Sequence, residues 1–319
     1  HQYYNMDRFL KQQAMDDNRY LSVWLQWSLA RPNSGFRDEA VIVEGIDDEG
    51  KKTGLKKNLM DLPAVVSPDD ECLRKETWLA NYCLAERQQG RKVLVYLRQT
   101  GTRDIQDRVQ AVLEKAGLRV TVLHGSIDPR KREEWIAKRT PTTDVLVCNP
   151  KLVETGLDLI AYSTVIFYEI EYSLYTLWQA VRRVWRLGQT QAVKALFSVY
   201  EGAMESVALA LMGRKMKAAQ LLYGDEVGGA IVPESEGDFL TQLARELLAG
   251  SKLPDLATLF AEDTQVSHNP LGSMTVPSVV MTVPLDTWED WLQQRGVVVV
   301  RKKRRATVPG ALPGQASLF

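Results

Sequence analysis

The sequence predicts a doubly wound α/β fold, in which helices cover both faces of a parallel sheet. Between about residues 69 and 222, short runs rich in apolar and β-branched residues alternate with amphipathic helical stretches. Strands that are apolar throughout are buried on both faces, as in parallel sheets with helical crossovers. The expected strands are 93–97, 120–123, 145–148, 165–168 and 195–200, and the expected helices are 70–89, 103–116, 129–139, 173–185 and 203–222.

The other regions of the chain have different sequence patterns. Residues 6–30 predict a helix that Arg31-Pro-Asn-Ser-Gly35 ends. A weak hairpin with a turn at 47–50 follows, and then an irregular Lys-rich stretch up to about Pro68. We expect one more helix at about 236–249. The predicted regions are a helical N-terminal insertion, linker or tail of a preceding domain (1–68), the α/β domain (69–223), a small accessory region (224–300) and a basic flexible tail (301–319).

Composition excludes several classes of protein. The chain has 319 residues, of which 45% are hydrophobic and 25% charged, as in ordinary folded proteins. No apolar run reaches the ~18–20 residues that cross a bilayer, and the first residues lack the pattern of a signal peptide. We therefore expect a cytoplasmic protein without membrane contact. The three cysteines have no CxxC spacing and the three histidines stand far apart, so a structural zinc site is not expected and the cysteines are predicted to be buried free thiols.

Charge is balanced overall but uneven along the chain. Lys and Arg together number 40, as do Asp and Glu, yet residues 91–139 hold 12 basic against 6 acidic residues. Such an excess marks either a solvated face or a set of phosphate contacts.

Phosphate-binding loops of the GxxxxGK[ST] and GxGxxG types are absent from the sequence. Asp70-Glu71-Cys72-Leu73 superficially resembles an acidic magnesium-binding box. It follows Ser67-Pro68 at the start of an expected helix, where acidic residues are favoured by the helix dipole, so we interpret it as helix N-terminal charge. The chain therefore has no visible means of holding a triphosphate and its metal unaided.

Two segments nevertheless indicate a ligand. Gln179, Arg183 and Arg186 are spaced i, i+4 and i+7, which places them on one stripe of a helix where arginine can pair with phosphate. A solvated face is the alternative. The loop after strand 145–148 follows the carboxyl end of the sheet, where such folds bind ligands, although ordinary capping residues would explain it as well. This loop carries Asn149, Lys151, Glu154, Thr155, Gly156 and Asp158.

Together these segments resemble motifs V and VI of superfamily 2 helicases, especially the Swi/Snf-type translocases. The matching residues are Glu154-Thr-Gly-Leu-Asp158 and, some twenty residues later, Gln179-Ala-x-x-Arg183-x-x-Arg186-x-Gly188-Gln189. Strand 93–97 with Arg98-Gln-Thr100 looks like motif IV, and Leu123-His-Gly-Ser126 looks like the phosphate-contacting strand end that follows it. The resemblance implies a second RecA-like motor lobe from about 70 to 223.

The resemblance also implies roles for individual residues. Arg186 would be the arginine finger on the γ-phosphate of ATP, Arg183 would assist it, and Gln179 would couple the two lobes. Glu154, Gly156 and Asp158 would bind the nucleotide, with Asp158 near the ribose. DNA would be contacted by Arg98, Thr100, Thr102, Gly125, Ser126, Lys151 and Thr155. Thr102 and Ser126 would moreover precede helices whose free N–H groups suit phosphate.

Two positions depart from the family pattern. Trp185 replaces a common histidine, which we expect to be harmless. Asn149-Pro150 stands where many helicases carry a phosphate-contacting threonine, which leaves Lys151 as a substitute by charge alone.

The motifs of a first lobe, which would hold most of the ATP and Mg²⁺, are absent from this sequence. We expect the chain to be part of a longer motor and to be inactive alone. A catalytically inactive DNA- or clamp-docking adapter is the alternative, and an unrelated α/β nucleotide enzyme is a third.

The last five residues, Gln315-Ala-Ser-Leu-Phe319, resemble the QxxLF peptide with which bacterial DNA-processing proteins bind the sliding clamp. Gln315, Leu318 and Phe319 would make that contact, and a disordered tail is the alternative. Arg301–Arg305 would either hold DNA phosphates nearby or keep the tail soluble.

Overall fold

The computed structural model describes residues 1–46, 52–99, 101–153, 156–171, 173–185, 188–223, 243–244, 247 and 278–283. None of the helices in these ranges is both long and apolar enough to span a membrane. The helices are α1 Gln2–Asp16, α2 Leu21–Ser34, α3 Arg74–Gln88, α4 Gln106–Lys115, α5 Arg132–Arg139, α6 Leu174–Arg182 and α7 Met204–Tyr223. The strands are β1 Glu39–Ile46, β2 Lys52–Leu62, β3 Val93–Tyr96, β4 Val120–Leu123, β5 Val145–Cys148, β6 Thr164–Phe167, β7 Lys194–Tyr200 and β8 Ser278–Val283.

Strands β3 to β8 form one parallel sheet in the order β4-β5-β3-β6-β7-β8. The central strand β3 pairs with β5 on one side and β6 on the other, with Val95 opposite both Val147 and Ile166. The loops that follow these three strands therefore leave the sheet side by side at its carboxyl ends. We call this side of the sheet the carboxyl edge and the opposite side the amino edge.

The two faces of the sheet bury separate cores, because successive strand residues point to opposite sides. Leu94 and Tyr96 pack in a cluster with residues of α1, α2, α5, α6 and α7. Val93 and Val95 pack in a second cluster with α3 and α4. Helices thus cover both faces, and the predicted doubly wound α/β fold is confirmed. The five predicted strands and the helices between them are also confirmed, with ends shifted by a few residues.

The N-terminal region differs from the prediction of one helix over 6–30. Asn18–Tyr20 form a turn of 3-10 helix that separates α1 from α2, and α2 continues through Pro32 to Ser34. Proline removes the hydrogen bond that Ser28 O would accept within the helix. The hydroxyl of Tyr3 donates to Ser28 O instead, at 3.2 Å, so the carbonyl stays satisfied.

The Lys-rich stretch is also more regular than expected. It forms β2, which pairs antiparallel with β1 in a register that sets Val43 opposite Lys57. Arg31 ties this hairpin to α2, since its guanidinium donates to Glu39 Oε2 at 3.1 Å and to Leu62 O at 3.1 Å. We call residues 1–46 and 52–68 the N-terminal unit, and their assignment as a separate region stays a prediction.

Three further expectations need correction. Helix α3 begins at Arg74, not at residue 70, and the carboxylate that caps it is Glu76, which accepts from Leu73 N at 2.7 Å. Cys83 and Cys148 are buried free thiols, but Cys72 is exposed. Within the expected accessory region, Ser278–Val283 extend the main sheet as β8, parallel to β7.

Candidate functional site

Loops from three neighbouring strands meet at the carboxyl edge. We call residues 97–99 and 101–105, which follow β3, the β3 loop. Asn149, which follows β5, donates from Nδ2 to Arg98 O at 2.8 Å and accepts from Lys151 N at Oδ1 at 2.9 Å. Its amide is buried and bonded at both ends inside the protein, so it is not placed to contact a phosphate. Lys151 is exposed beside it, and its role as a substitute by charge stays a prediction.

On the other side of the β3 loop lies Glu169, which follows β6. Its Oε2 accepts from the backbone N–H groups of Arg98 and Gln99, both at 2.8 Å. Burial raises the pKa of Glu169 to about 7, while the two N–H groups and the nearby Lys75 act against that rise. The sequence analysis missed this residue. An acidic residue immediately after a buried strand, in Tyr168-Glu-Ile-Glu171, was the signal that could have identified it.

Behind Glu169 lies a buried polar cluster that joins α2, α3 and α7. Lys75 is fully buried, and its Nζ is 2.9 Å from both Asn33 Oδ1 and Glu205 Oε1. The ammonium also lies 4.7 Å from the ring centroid of Tyr168. Burial lowers the pKa of Lys75, and the carboxylate of Glu205 acts against that change. This cluster attaches the N-terminal unit to the carboxyl edge of the sheet.

The N-terminal unit also reaches the β3 loop directly. Arg37 donates to Asp104 O at 3.1 Å and to Thr102 O at 3.3 Å. The guanidinium of Arg103 lies 4.7 Å from the ring centroid of Trp27. Side chains from β5, β6 and the N-terminal unit therefore hold the main chain of this loop.

The segments that carry the two helicase-like motifs are joined by hydrogen bonds. Leu159 N donates to Arg183 O at 3.1 Å. The side chain of Gln189 donates to Ile160 O at 2.9 Å and to Val184 O at 3.1 Å. The structure thus confirms that the two segments are neighbours. Gln189 was part of the recognised pattern, but its role as the link was not predicted.

Helix α6 positions two of the three residues of the proposed arginine stripe. Gln179 is half-buried on the helix, and Arg183 is its half-buried C-cap, near enough to Tyr96 to oppose the rise in that phenol's pKa that burial causes. The helix ends at Arg182, earlier than the predicted residue 185, and the carbonyls of Arg183 and Val184 accept from Leu159 and Gln189. Arg186 lies outside the described residues, so a stripe that includes it stays a prediction.

On the predicted nucleotide side, Gly156 and Asp158 are both exposed. Gly156 has φ +70°, which glycine adopts without strain, and nothing within 4 Å would meet a side chain there. Asp158 accepts from Ile160 N at 3.2 Å through Oδ1.

On the predicted DNA side, Thr102, Gly125 and Ser126 are exposed, whereas Arg98 is half-buried. Thr102 and Ser126 do not directly precede helices as expected. Asp104 and Asp128 intervene, and their carboxylates accept from Gln106 N at 2.8 Å and Arg130 N at 3.0 Å. At each of these starts a carboxylate already occupies one N–H group, so that N–H group is not free for phosphate.

The basic excess of residues 91–139 does not form a single surface. Arg91 and Arg119 lie at the amino edge, where they pair with Glu86 and Asp144. Arg130 and Lys131 are exposed on the carboxyl side, just before α5. Among the described residues, no group of three or more His, Cys, Asp or Glu could hold a metal ion.

Several predicted site residues lie outside the described residues. They are Thr100, Glu154, Thr155, Arg186, Gln315, Leu318 and Phe319.

Three kinds of comparison show what the chain is similar to. Residues 74–188 match the family model of the helicase conserved C-terminal domain. The chain is 32% identical over 109 residues to the TATA-binding protein-associated factor MOT1 of Saccharomyces cerevisiae, which covers 34% of this chain and 6% of that protein. It is 26% identical over 151 residues to the chromatin-remodeling ATPase INO80 of Mus musculus, which covers 47% of this chain and 9% of that protein. A solved structure of the C-terminal part of the Fun30 ATPase domain aligns with a TM-score of 0.41 and 16% identity, covering 56% of this chain and 55% of that one.

The family match over residues 74–188 and the similarity to these relatives support a superfamily 2, Swi/Snf-like C-terminal lobe. The matches to these two relatives span less than a tenth of each relative's length.

Proposed function

We propose that this chain supplies the second motor lobe of an ATP-dependent DNA translocase or helicase. The observation that carries the proposal is the joining of the two motif segments at the carboxyl edge, through Leu159 N to Arg183 O and through Gln189. This joining brings the exposed Gly156 and Asp158 to the end of the arginine-bearing helix. Relatives that include a protein named as an ATPase support the same reading.

The residues present suit one side of a nucleotide. The open space at Gly156 leaves room for a ligand, and the exposed carboxylate of Asp158 can accept hydrogen bonds from ribose hydroxyls. When bound, ATP would supply the phosphoanhydride bond whose hydrolysis drives movement, with Mg²⁺ held mainly by a first lobe. This chain would contact the second side of the nucleotide and would supply positive charge through Arg186.

Arg186 would act as the arginine finger, with Arg183 and Gln179 beside it. A guanidinium placed against the γ-phosphate stabilises the charge that spreads over the phosphoryl oxygens in the transition state. Arg183 is half-buried, so its guanidinium is held beneath the surface near Tyr96 instead of extending freely into solvent. We assign the finger to Arg186 and a supporting role to Arg183.

DNA would run along the carboxyl edge over the loops that follow β3, β4 and β5. The exposed Thr102, Gly125, Ser126 and Lys151 would face its backbone. The loops after β4 and β5 are held together by Arg132, which donates to Ile127 O and Leu152 O, both at 3.1 Å. Arg130 and Lys131 add positive charge beside them, which would make binding sensitive to salt.

The test is the variant Arg186→Ala in the complete natural polypeptide that contains this chain. Because the finger acts on transition-state charge, DNA-stimulated ATP turnover should fall by about 10³-fold or more while DNA affinity is unchanged. The exposed Arg182, in the last turn of α6, offers a matched control, and Arg182→Ala should keep near-normal turnover. Normal turnover by Arg186→Ala would refute the assignment.

A second candidate function is an adapter that docks on DNA or on the bacterial sliding clamp without ATP chemistry. The peptide Gln315-Ala-Ser-Leu-Phe319 is the observation that favours it, since a terminal Leu-Phe pair gains from an apolar pocket. Removing residues 315–319 should abolish clamp binding, and ATP hydrolysis should be undetectable both before and after the deletion if the adapter is the function. A clamp affinity that the deletion leaves unaltered would exclude this contact.

A further inference from the structure

The β3 loop is held more firmly than a connection on a protein surface requires. Glu169 binds the N–H groups of Arg98 and Gln99, and Asn149 binds the carbonyl of Arg98. Arg37 binds the carbonyls of Thr102 and Asp104. Each of these side chains bonds to main-chain atoms, so it fixes the path of the loop whatever side chains the loop carries.

Arg37 is itself held in place within the N-terminal unit. Its Nε donates to Glu39 Oε1 at 3.0 Å, and Glu39 also accepts from Ser34 Oγ at 2.5 Å and from Arg31. Arg31 is buried, and it donates to main-chain carbonyls that include Leu62 O. The position of the Arg37 fork therefore follows from the packing of α2 against the hairpin.

A second contact connects the same two parts. The guanidinium of Arg103, in the β3 loop, lies over the ring of Trp27 in α2, and burial lowers the pKa of this guanidinium. Trp27 is buried, so its ring is a fixed surface for the loop. The loop thus touches the N-terminal unit through its main chain and through a side chain.

We propose that Arg37 and Glu169 are positioning residues that hold the β3 loop in its DNA-contacting conformation, so that the N-terminal unit sets the affinity for DNA. This inference rests on the proposed function, which places the loop against the nucleic-acid backbone. A loop already ordered in the free protein loses less conformational entropy on binding, and this raises affinity without any new contact.

The amino edge provides matched controls for both residues. Arg91 also donates to two main-chain carbonyls, Ser163 O at 2.9 Å and Ala192 O at 2.7 Å, but it lies at the end of the sheet remote from the loop. Glu86 is, like Glu169, a buried glutamate with several hydrogen bonds. Loss of either control side chain removes comparable bonds without touching the β3 loop.

The experiment measures three quantities for the complete polypeptide and its variants: the dissociation constant for a fluorescent DNA duplex, the DNA concentration for half-maximal ATPase stimulation, and ATP turnover at saturating DNA. Arg37→Ala and Glu169→Ala should each raise the first two by about tenfold and change the third less than about twofold. Glu169→Gln keeps an oxygen that accepts both N–H groups and should restore near-normal affinity. Arg91→Ala and Glu86→Gln should lower thermal stability without changing DNA affinity.

The outcomes separate this inference from the proposed function. An unchanged DNA affinity in folded Arg37→Ala and Glu169→Ala, beside DNA-stimulated turnover in the wild type, overturns the inference alone. A wild type that neither binds DNA nor responds to it overturns both. If Arg37→Ala does not fold, Arg37→Lys keeps the charge beside Glu39 but loses the fork to two carbonyls, and it should show the same loss of affinity.

Discussion

The two edges of the sheet use buried glutamates in opposite ways. At the amino edge, Glu86 accepts from Arg91 Nε at 2.7 Å and from Lys194 Nζ at 2.6 Å. Burial acts to raise the pKa of Glu86, but hydrogen bonds from Lys194, Thr164 and Arg91 outweigh burial and lower it. At the carboxyl edge, Glu169 accepts from backbone N–H groups, and burial raises its pKa to about 7.

The amino edge is closed by ion pairs, whereas the carboxyl edge stays available to a ligand. Acids at the amino edge are neutralised by cations from neighbouring elements, as Asp144 is by Arg119, whose Nη2 lies 2.6 Å away. Polar side chains at the carboxyl edge bind loop backbone instead, and several residues on those loops, such as Thr102, Ser126 and Lys151, are exposed. The amino edge therefore stabilises the fold through ion pairs, and the carboxyl edge holds the loops that could contact a ligand.

The largest expected effect comes from breaking the buried pair behind the carboxyl edge. Lys75→Met should lower the free energy of unfolding by about 3–5 kcal/mol, because it leaves Glu205 buried without its cation. Urea denaturation of the chain measures this loss. At the amino edge, Lys194→Met should cost only about 1 kcal/mol, since Lys194 is partly exposed and Arg91 still pairs with Glu86. Equal losses at the two positions would contradict the comparison.

A smaller effect should appear as pH dependence. The folded pKa of Glu169, about 7, lies above that of an unfolded glutamate, about 4.3, so between these values the folded state binds the extra proton. The stabilisation from this proton is fully present below about pH 4 and is lost as pH rises through 7, at most roughly 4 kcal/mol. The free energy of unfolding of the wild type should therefore be lower at pH 8 than at pH 5. Glu169→Gln should remove this decrease.

Glu86 should show the opposite sign. Its lowered pKa contributes stability that is present above the unfolded pKa and is lost as pH falls through the folded value. Glu86→Gln should therefore change how the free energy of unfolding varies with pH under acidic conditions. It should not change how that free energy varies between pH 5 and pH 8. If the free energy of unfolding of Glu169→Gln and of Glu86→Gln varied with pH in the same way, the two edges would not differ in how they use buried glutamates.

Asn149→Ala should have an intermediate effect. It removes the donor to Arg98 O and the acceptor for Lys151 N, and a lost buried hydrogen bond costs about 1–2 kcal/mol. Thermal unfolding measures the cost. A variant as stable as the wild type would show that Asn149 does not hold the β3 loop.

The smallest effect is expected at the surface pair Lys138 and Glu134, whose side chains are 69% and 70% exposed. Lys138→Ala should change the free energy of unfolding by no more than about 0.5 kcal/mol in the same denaturation assay. A larger loss would mean that exposed pairs contribute to the stability of α5 as much as buried contacts do.

The sheet was predictable because its signal is local. Runs such as Val145–Cys148 are apolar at every position, and only a strand covered on both faces requires that pattern. β8 was missed, because its short run of Val, Met and Thr lies among proline-rich residues and its pairing with β7 spans some 80 residues of chain. Helix α2 passes through Pro32, and Tyr3, some 25 residues before Ser28, binds the Ser28 carbonyl that proline leaves free.

The residues of the candidate site were predictable from the sequence, but the hydrogen bonds that hold its loops were not. The family-like spacing identified Gly156, Asp158 and Arg183, and the structure brings their segments together. Arg37 has no local signature, and the position of Glu169 after a buried strand marks it as a candidate without showing what it binds, since the partners of both residues are brought together only by the fold. The contacts just after α6 were likewise not predictable, since Leu159 and Gln189 bind the carbonyls of Arg183 and Val184 from distant positions in the chain or from beyond the helix.

The most direct test of the motor assignment is ATP hydrolysis by the complete natural polypeptide, measured without DNA and with single- or double-stranded DNA. We expect turnover to rise with DNA and to saturate as the DNA sites fill, and the strand form that stimulates turnover most would identify the preferred DNA substrate. A folded complete polypeptide that binds DNA but hydrolyses ATP no faster in its presence would contradict the motor assignment and favour the adapter.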